Sequence, residues 1–137
     1  MPQPIHIEDP DDPRIADYHA IRERDLVGRK QRFIAEGKVV LNVLFGARRF
    51  AAESALILDR KLEGMRATLA LAPADMPVYV ASQQVMDAIA GYPIHRGVLA
   101  LGLHRNDEDA DALLDSLPDD ALVVALSGIS NHDNIGA

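Results

Sequence analysis

Short apolar runs alternate with helix-period segments from residue 14 to residue 104, and this alternation narrows the possible folds more than any other feature. Phe33-Ile34-Ala35-Glu36, Ser54 to Leu58, Pro77 to Ala81 and Gly97 to Leu103 have the length and apolar content of buried strands. Between the first two lies Lys38 to Ala47, apolar nearly all round. It is too long for a strand after a strand and is expected to be a buried helix, although its valines disfavour one. Leu62, Met65 and Leu69 share one helical face that ends before Pro73. Val85, Met86 and Ile89 form a second stripe, with Ser82 as its N-cap and Gly91 as its stop. Ahead of them, Ile15, Tyr18 and Ile21 recur every three residues, which predicts an amphipathic helix over about residues 14–25. Such alternation implies an α/β sheet with helices packed on its faces.

The flanks read differently. Residues 1–13 hold four prolines and four acids without an apolar period, and are expected to be a disordered acidic tail. Residues 14–105 form the domain. Residues 106–120 carry seven acids and no base; Ala112, Leu113, Leu114 and Leu117 suit a turn or two of helix in an acidic linker. Ala121 to Leu126 is expected to be a new strand. It leads into Asn131-His132-Asp133-Asn134-Ile135-Gly136-Ala137, a polar turn that on spacing alone is a frayed end or the start of a site.

Charge bears on function through its distribution. The net charge is -7, but 12 of the 14 Lys and Arg lie between Arg14 and Arg66 against seven acids, a local balance of +5. A basic half between acidic segments suits either a polyanion or an ordinary solvated face. The chain has no cysteine, no secretory leader and no apolar run near the ~18 residues of a membrane span, so a cytoplasmic, membrane-free protein is expected.

Local motifs for chemistry are lacking. There is no phosphate-loop or dinucleotide signature, the five histidines lack metal-ligand spacing, and no serine sits in a nucleophile elbow. Three loops remain as candidates: Gly28-Arg29-Lys30-Gln31-Arg32, then His95-Arg96-Gly97, then the terminal Asn-rich turn. Arginine and lysine near glycine suit phosphate contacts, because their donors match backbone oxygens.

The order of these pieces carries more than any one of them. Gly28-Arg29-Lys30, Phe33-x-x-Glu36-Gly37, Pro77-Val78-Tyr79-Val80 and His95-x-Gly97-Val98-Leu99-Ala100 together resemble the N-terminal substrate-binding domain of the SpoU (TrmH-type, SPOUT superfamily) RNA 2′-O-ribose methyltransferases, over roughly residues 17–104. The resemblance implies a three-layer α/β/α sandwich with a mixed central sheet, like the kink-turn-binding ribosomal proteins. In that family a linker and a knotted catalytic domain follow. Leu122 to Leu126 resembles the first strand of that domain, and Asn134-Ile135-Gly136-Ala137 resembles its first motif, whose arginine would fall beyond residue 137. Many members have His-Gln-Gly where this chain has His95-Arg96-Gly97.

The resemblance therefore implies an RNA-recognition domain, an acidic linker and, over residues 121–137, the opening of a methyltransferase domain. The parent enzyme would transfer a methyl group from S-adenosylmethionine to a ribose 2′-hydroxyl of tRNA or rRNA and dimerise through its knot. This chain alone would be inactive, would bind no S-adenosylmethionine or metal, and would be monomeric. Asn134 is the partial catalytic residue; Arg29, Lys30, Arg32 and Arg96 are the candidate contacts to structured RNA. The alternatives are a stand-alone RNA-binding module of the ribosomal-protein type and a generic α/β ligand-binding domain.

Overall fold

The computed structural model describes residues 2–19, 31–90, 97–104 and 109–128. Five strands form one mixed sheet: β1 (Pro4–Ile7), β2 (Arg32–Glu36), β3 (Ala51–Leu58), β4 (Val78–Ala81) and β5 (Val98–Leu103). Their spatial order is β1-β4-β3-β5-β2. β1 and β3 both run parallel to β4, whereas β5 is antiparallel to both β3 and β2.

The central strands read as unbroken apolar runs because both faces are covered. On one face Leu56, Leu58, Tyr79, Ala81, Leu99 and Leu101 pack against Ile15 and Tyr18 of a 3-10 turn (Pro13–Tyr18) and against Val85, Met86 and Ile89. Those last three lie on helix α3 (Gln83–Ala90). On the other face Ala55, Ile57, Val78, Val98 and Ala100 pack against helices α1 (Lys38–Ala47) and α2 (Leu62–Leu69). Adjacent residues of one strand thus enter opposite cores, the period-2 rule of a pleated strand. The three-layer α/β arrangement with a mixed sheet is the one the resemblance implied.

Four local expectations need correction. The acidic head is not disordered throughout: Pro4–Ile7 adds an edge strand to β4, and Ile7 is buried. Pro4 is tolerated because a missing N–H costs nothing at the first residue of an edge strand. Helix α1 is not buried all round. Leu41, Leu44 and Phe45 face the core, while Val39, Val40 and Val43 are exposed. The amphipathic segment from residue 14 opens as a 3-10 turn, not as α-helix, with Pro13 at its start and Asp12 capping the Arg14 amide. The rest of that segment, residues 20–30, lies outside the described residues.

Ala121 to Leu126 forms no strand. Leu122, Val123, Val124 and Leu126 are exposed, Leu122 at 92%. A strand requires a neighbour for its backbone groups. The described residues of the second compact unit, Asp107–Ala137, supply only helix α4 (Ala110–Ser116), which Asp109 caps. The linker helix is therefore present and the strand is not. The first unit, Met1–Asn106, contains the whole sheet.

Candidate functional site

The start of β2 carries the one candidate RNA contact that is described. Arg32 pairs with Leu103 in register, at the end of the sheet where β3 begins. A β-bulge between Ala52 and Ser54 leaves Glu53 without a partner on β5. Glu53 turns this freedom to Arg32, taking hydrogen bonds from Nε at 2.5 Å and Nη2 at 3.1 Å. Asp17 takes a third, from Nη1 at 3.4 Å. This half-buried carboxylate pair raises the Arg32 pKa, the Glu53 hydrogen bond contributing most. Arg32 is thus held by two acids, and a phosphate would have to compete with both.

Beside it stands an aromatic cluster that sequence reading did not assemble. Phe33, Phe50 and His104 meet edge-on or tilted, with ring centroids 5.5 Å (Phe33–Phe50), 6.1 Å (Phe33–His104) and 5.4 Å (Phe50–His104) apart. Gly102 makes room for it: a Cβ there would lie 2.3 Å from the Phe33 ring. The guanidinium of Arg49 sits 5.5 Å from the Phe50 ring centre, within cation–π range. Arg48 closes helix α1 in the left-handed conformation (φ 51, ψ 22) and is exposed, as is Arg49. Nδ1 of His104 is buried without a hydrogen-bond partner among the described residues.

Cations at the C-terminal end of a helix suit its dipole, a structural reason for Arg48 and Arg49. Arg49 gains a second setting, over the Phe50 ring, only once β3 and β5 pair. Partly exposed aromatic rings beside an exposed guanidinium can stack an unpaired base and hold a phosphate together.

Of the four predicted cations, only Arg32 lies among the described residues. Arg32 lies opposite Leu103, at the far end of β5 from Gly97. Gly97 accepts a hydrogen bond from the Leu58 amide at 2.8 Å, at φ +59 and so close that a Cβ would fall 2.8 Å from Leu58 Cβ. The two ends of β5 are roughly 20 Å apart at ~3.3 Å per residue. Arg29, Lys30 and Arg96 lie outside the described residues, as does Asn134. No cluster of metal-ligating side chains occurs among the described residues, and no described helix is long and apolar enough to cross a membrane.

No family model matches the chain. Uncharacterised tRNA/rRNA methyltransferases of Mycobacterium bovis and Mycobacterium tuberculosis are 35% identical to it over 133 residues, covering 94% of this chain and 44% of each relative. The chain therefore spans less than half the length of these curated relatives. Among solved structures, an rRNA methyltransferase from Sinorhizobium meliloti superposes with a TM-score of 0.54 at 15% identity, over 77% of this chain and 39% of that one. An AdoMet-bound form of an rRNA methyltransferase from the same organism gives 0.53 at 14% identity, over 76% of this chain and 38% of that one. An RNA 2′-O ribose methyltransferase gives 0.53 at 21% identity, over 74% and 38% of the two chains. At these identities the structural likeness establishes a shared fold.

Proposed function

We propose that residues 14–105 are the RNA-recognition domain of an RNA methyltransferase, and that the parent protein transfers a methyl group from S-adenosylmethionine to a ribose 2′-hydroxyl of tRNA or rRNA. The observation that carries this reading is the 35% identity, over 94% of the chain, to proteins named tRNA/rRNA methyltransferases. The fold shared with RNA methyltransferases supports it. So does the end of the sheet where Phe33, Phe50 and His104 cluster, with the Arg49 guanidinium over the Phe50 ring and Arg32 at the start of β2. Arg29, Lys30 and Arg96 extend the proposed contact surface, and Asn134 opens the catalytic motif.

The S-adenosylmethionine site is assigned, by family resemblance, to motifs beyond Asn134. In the parent the cofactor supplies the methyl group; the part played by this chain is to hold RNA. Homodimerisation belongs, on this reading, to the region beyond residue 137.

Gel-shift titration of the 137-residue chain against rRNA and tRNA transcripts tests the reading. Binding is expected to weaken linearly in log[salt], and neutralising Arg29, Lys30, Arg32 and Arg96 together is expected to flatten that line by roughly 0.7 to 0.9 for each lost phosphate contact. Arg32 should contribute least, since Glu53 and Asp17 already hold it. RNA binding with an unchanged slope in the quadruple variant would remove these four residues from the interface, and no RNA binding at all would defeat the recognition role. Calorimetry with S-adenosylmethionine is expected to show no micromolar binding to this chain.

A further inference from the structure

At the opposite end of the sheet, topology opens a crevice. β3 and β4 are parallel neighbours, yet their onward connections leave towards opposite faces. The chain after β3 runs into α2, which packs in the core with Ile57 and Val78. The chain after β4 runs into α3, which packs in the other core with Leu58 and Tyr79. Adjacent parallel strands whose carboxyl ends diverge in this way form a topological switch point, the usual place for a ligand in an open α/β sheet.

A cavity of about 440 Å³ lies there, within the range of small-molecule sites. Ile7, Val80, Ala81 and Val85 supply apolar surface, and His6, Glu8, Asp59, Ser82 and Gln84 supply polar groups. Edge strand β1 is what makes it a cavity, because His6, Ile7 and Glu8 form one wall.

The lining selects a chemistry. Glu8 and Asp59 present carboxylates that accept hydrogen bonds and repel phosphate. The side chains of His6, Glu8 and Gln84 make no hydrogen bond to other described residues, and all three residues are exposed. Ser82 Oγ accepts the Val85 amide at 3.3 Å as the N-cap of α3, which leaves its hydroxyl proton to donate. Apolar walls for a ring, acceptors for N–H groups and a hydroxyl donor for a carbonyl match an uncharged heterocycle with a donor edge. Guanine presents N1–H and N2–H2 side by side, next to the O6 acceptor. Uracil offers a single N–H between two carbonyls, which the carboxylates would oppose.

We propose that this switch-point crevice binds an unstacked guanine base, and, on the RNA-recognition reading above, one extruded from the RNA substrate. Amide NMR of the 137-residue chain titrated with guanosine and with uridine tests the chemistry without any phosphate. Guanosine is expected to shift residues 6–8, 59 and 82–88. The Glu8→Gln/Asp59→Asn double variant, whose spectrum elsewhere reports folding, is expected to bind it at least about fivefold more weakly, the loss of one good base-edge pair. No guanosine shifts at these residues, equal binding of uridine, or an unaffected double variant overturns the proposal.

A gel-shift arm separates the sources of the base. Removing two negative charges would by itself tighten RNA binding. At least fivefold weaker RNA binding by the double variant therefore supports an RNA base in the crevice, and unchanged or tighter binding overturns that source. If the parent chain binds no RNA, the recognition reading fails separately from the guanosine result.

Discussion

At the scale of single residues, two hydrogen-bonded pairs carry testable weight. The Tyr18 hydroxyl lies 2.7 Å from Ser54 Oγ inside the sheet, joining the 3-10 turn to β3. Burial raises the phenol pKa well above its ordinary value of 10.0, outweighing the opposing Ser54 hydrogen bond. Above pH 10 an unfolded chain releases this proton while the folded one retains it. Stability is therefore whole below pH 10 and falls as pH rises further. Denaturant melts of the Tyr18→Phe variant should lose this alkaline limb. The same substitution strands Ser54 Oγ, at a cost of about 1–3 kcal/mol near neutrality, and Ser54→Ala in the same chain should restore part of it. The second pair is exposed. Arg14 donates to Asp12 from Nε at 3.0 Å and Nη2 at 2.6 Å, and its side chain and amide together hold the Asp12 carboxyl at about 2, below its usual 3.8. A depressed carboxylate adds stability that is present above pH 3.8 and lost as pH falls towards 2. In Arg14→Gln the acid limb of a thermal-melt series should be shallower across that window; an identical limb would show that the pair contributes nothing to folding.

At the scale of elements, the helices and strands of the domain were legible wherever apolar spacing alone determines them. Met65 and Leu69 on α2, and Val85, Met86 and Ile89 on α3, are buried as their period demands. Strands β2 to β5 fall within a few residues of the apolar runs. β1 was not legible, because four residues flanked by prolines and acids show only two isoleucines, and the strand exists only through β4. The outer face of α1 was misread for the converse reason. Valine at 39, 40 and 43 carries the apolar signal of a core without a neighbour to bury it. Mutants separate the two cases. Leu41→Ala and Ile7→Ala empty packed sites and should each lower unfolding free energy by about 2–5 kcal/mol. Val43→Thr on the exposed face should stay within about 0.5 kcal/mol. A large loss at Val43 would mean that another surface covers this face in solution. The aromatic cluster was illegible on similar grounds: Phe33 lies on β2, Phe50 just before β3 and His104 just after β5, and only the pairing of β2 and β3 with β5 unites them.

At the scale of the whole first unit, β3 separates two surfaces of different chemistry. Phe50 and Arg49 precede its first residue, and Asp59 follows its last, so eight residues of strand, roughly 26 Å, lie between them. The near end offers rings and guanidinium groups; the far end offers carboxylates and a cavity. Each should leave its own signature in RNA binding. Arg48→Gln/Arg49→Gln should reduce the salt slope by roughly 0.7 per lost contact. Phe50→Ala should cost about 1–3 kcal/mol of affinity for one stacked base and leave the slope as it was. Glu8→Gln/Asp59→Asn should lose affinity with no fall in slope, because no phosphate contact is removed. At such separation the two ends share no side-chain partner, so their effects should add within about 0.5 kcal/mol in the combined variant. Gel-shift titrations of the single, double and combined variants at three salt concentrations would measure all of these together. Strong non-additivity would mean that the RNA bridges the two ends as one rigid body, or that the sheet itself shifts on binding. Additive losses would mean that one sheet presents two independent grips on the same strand of RNA.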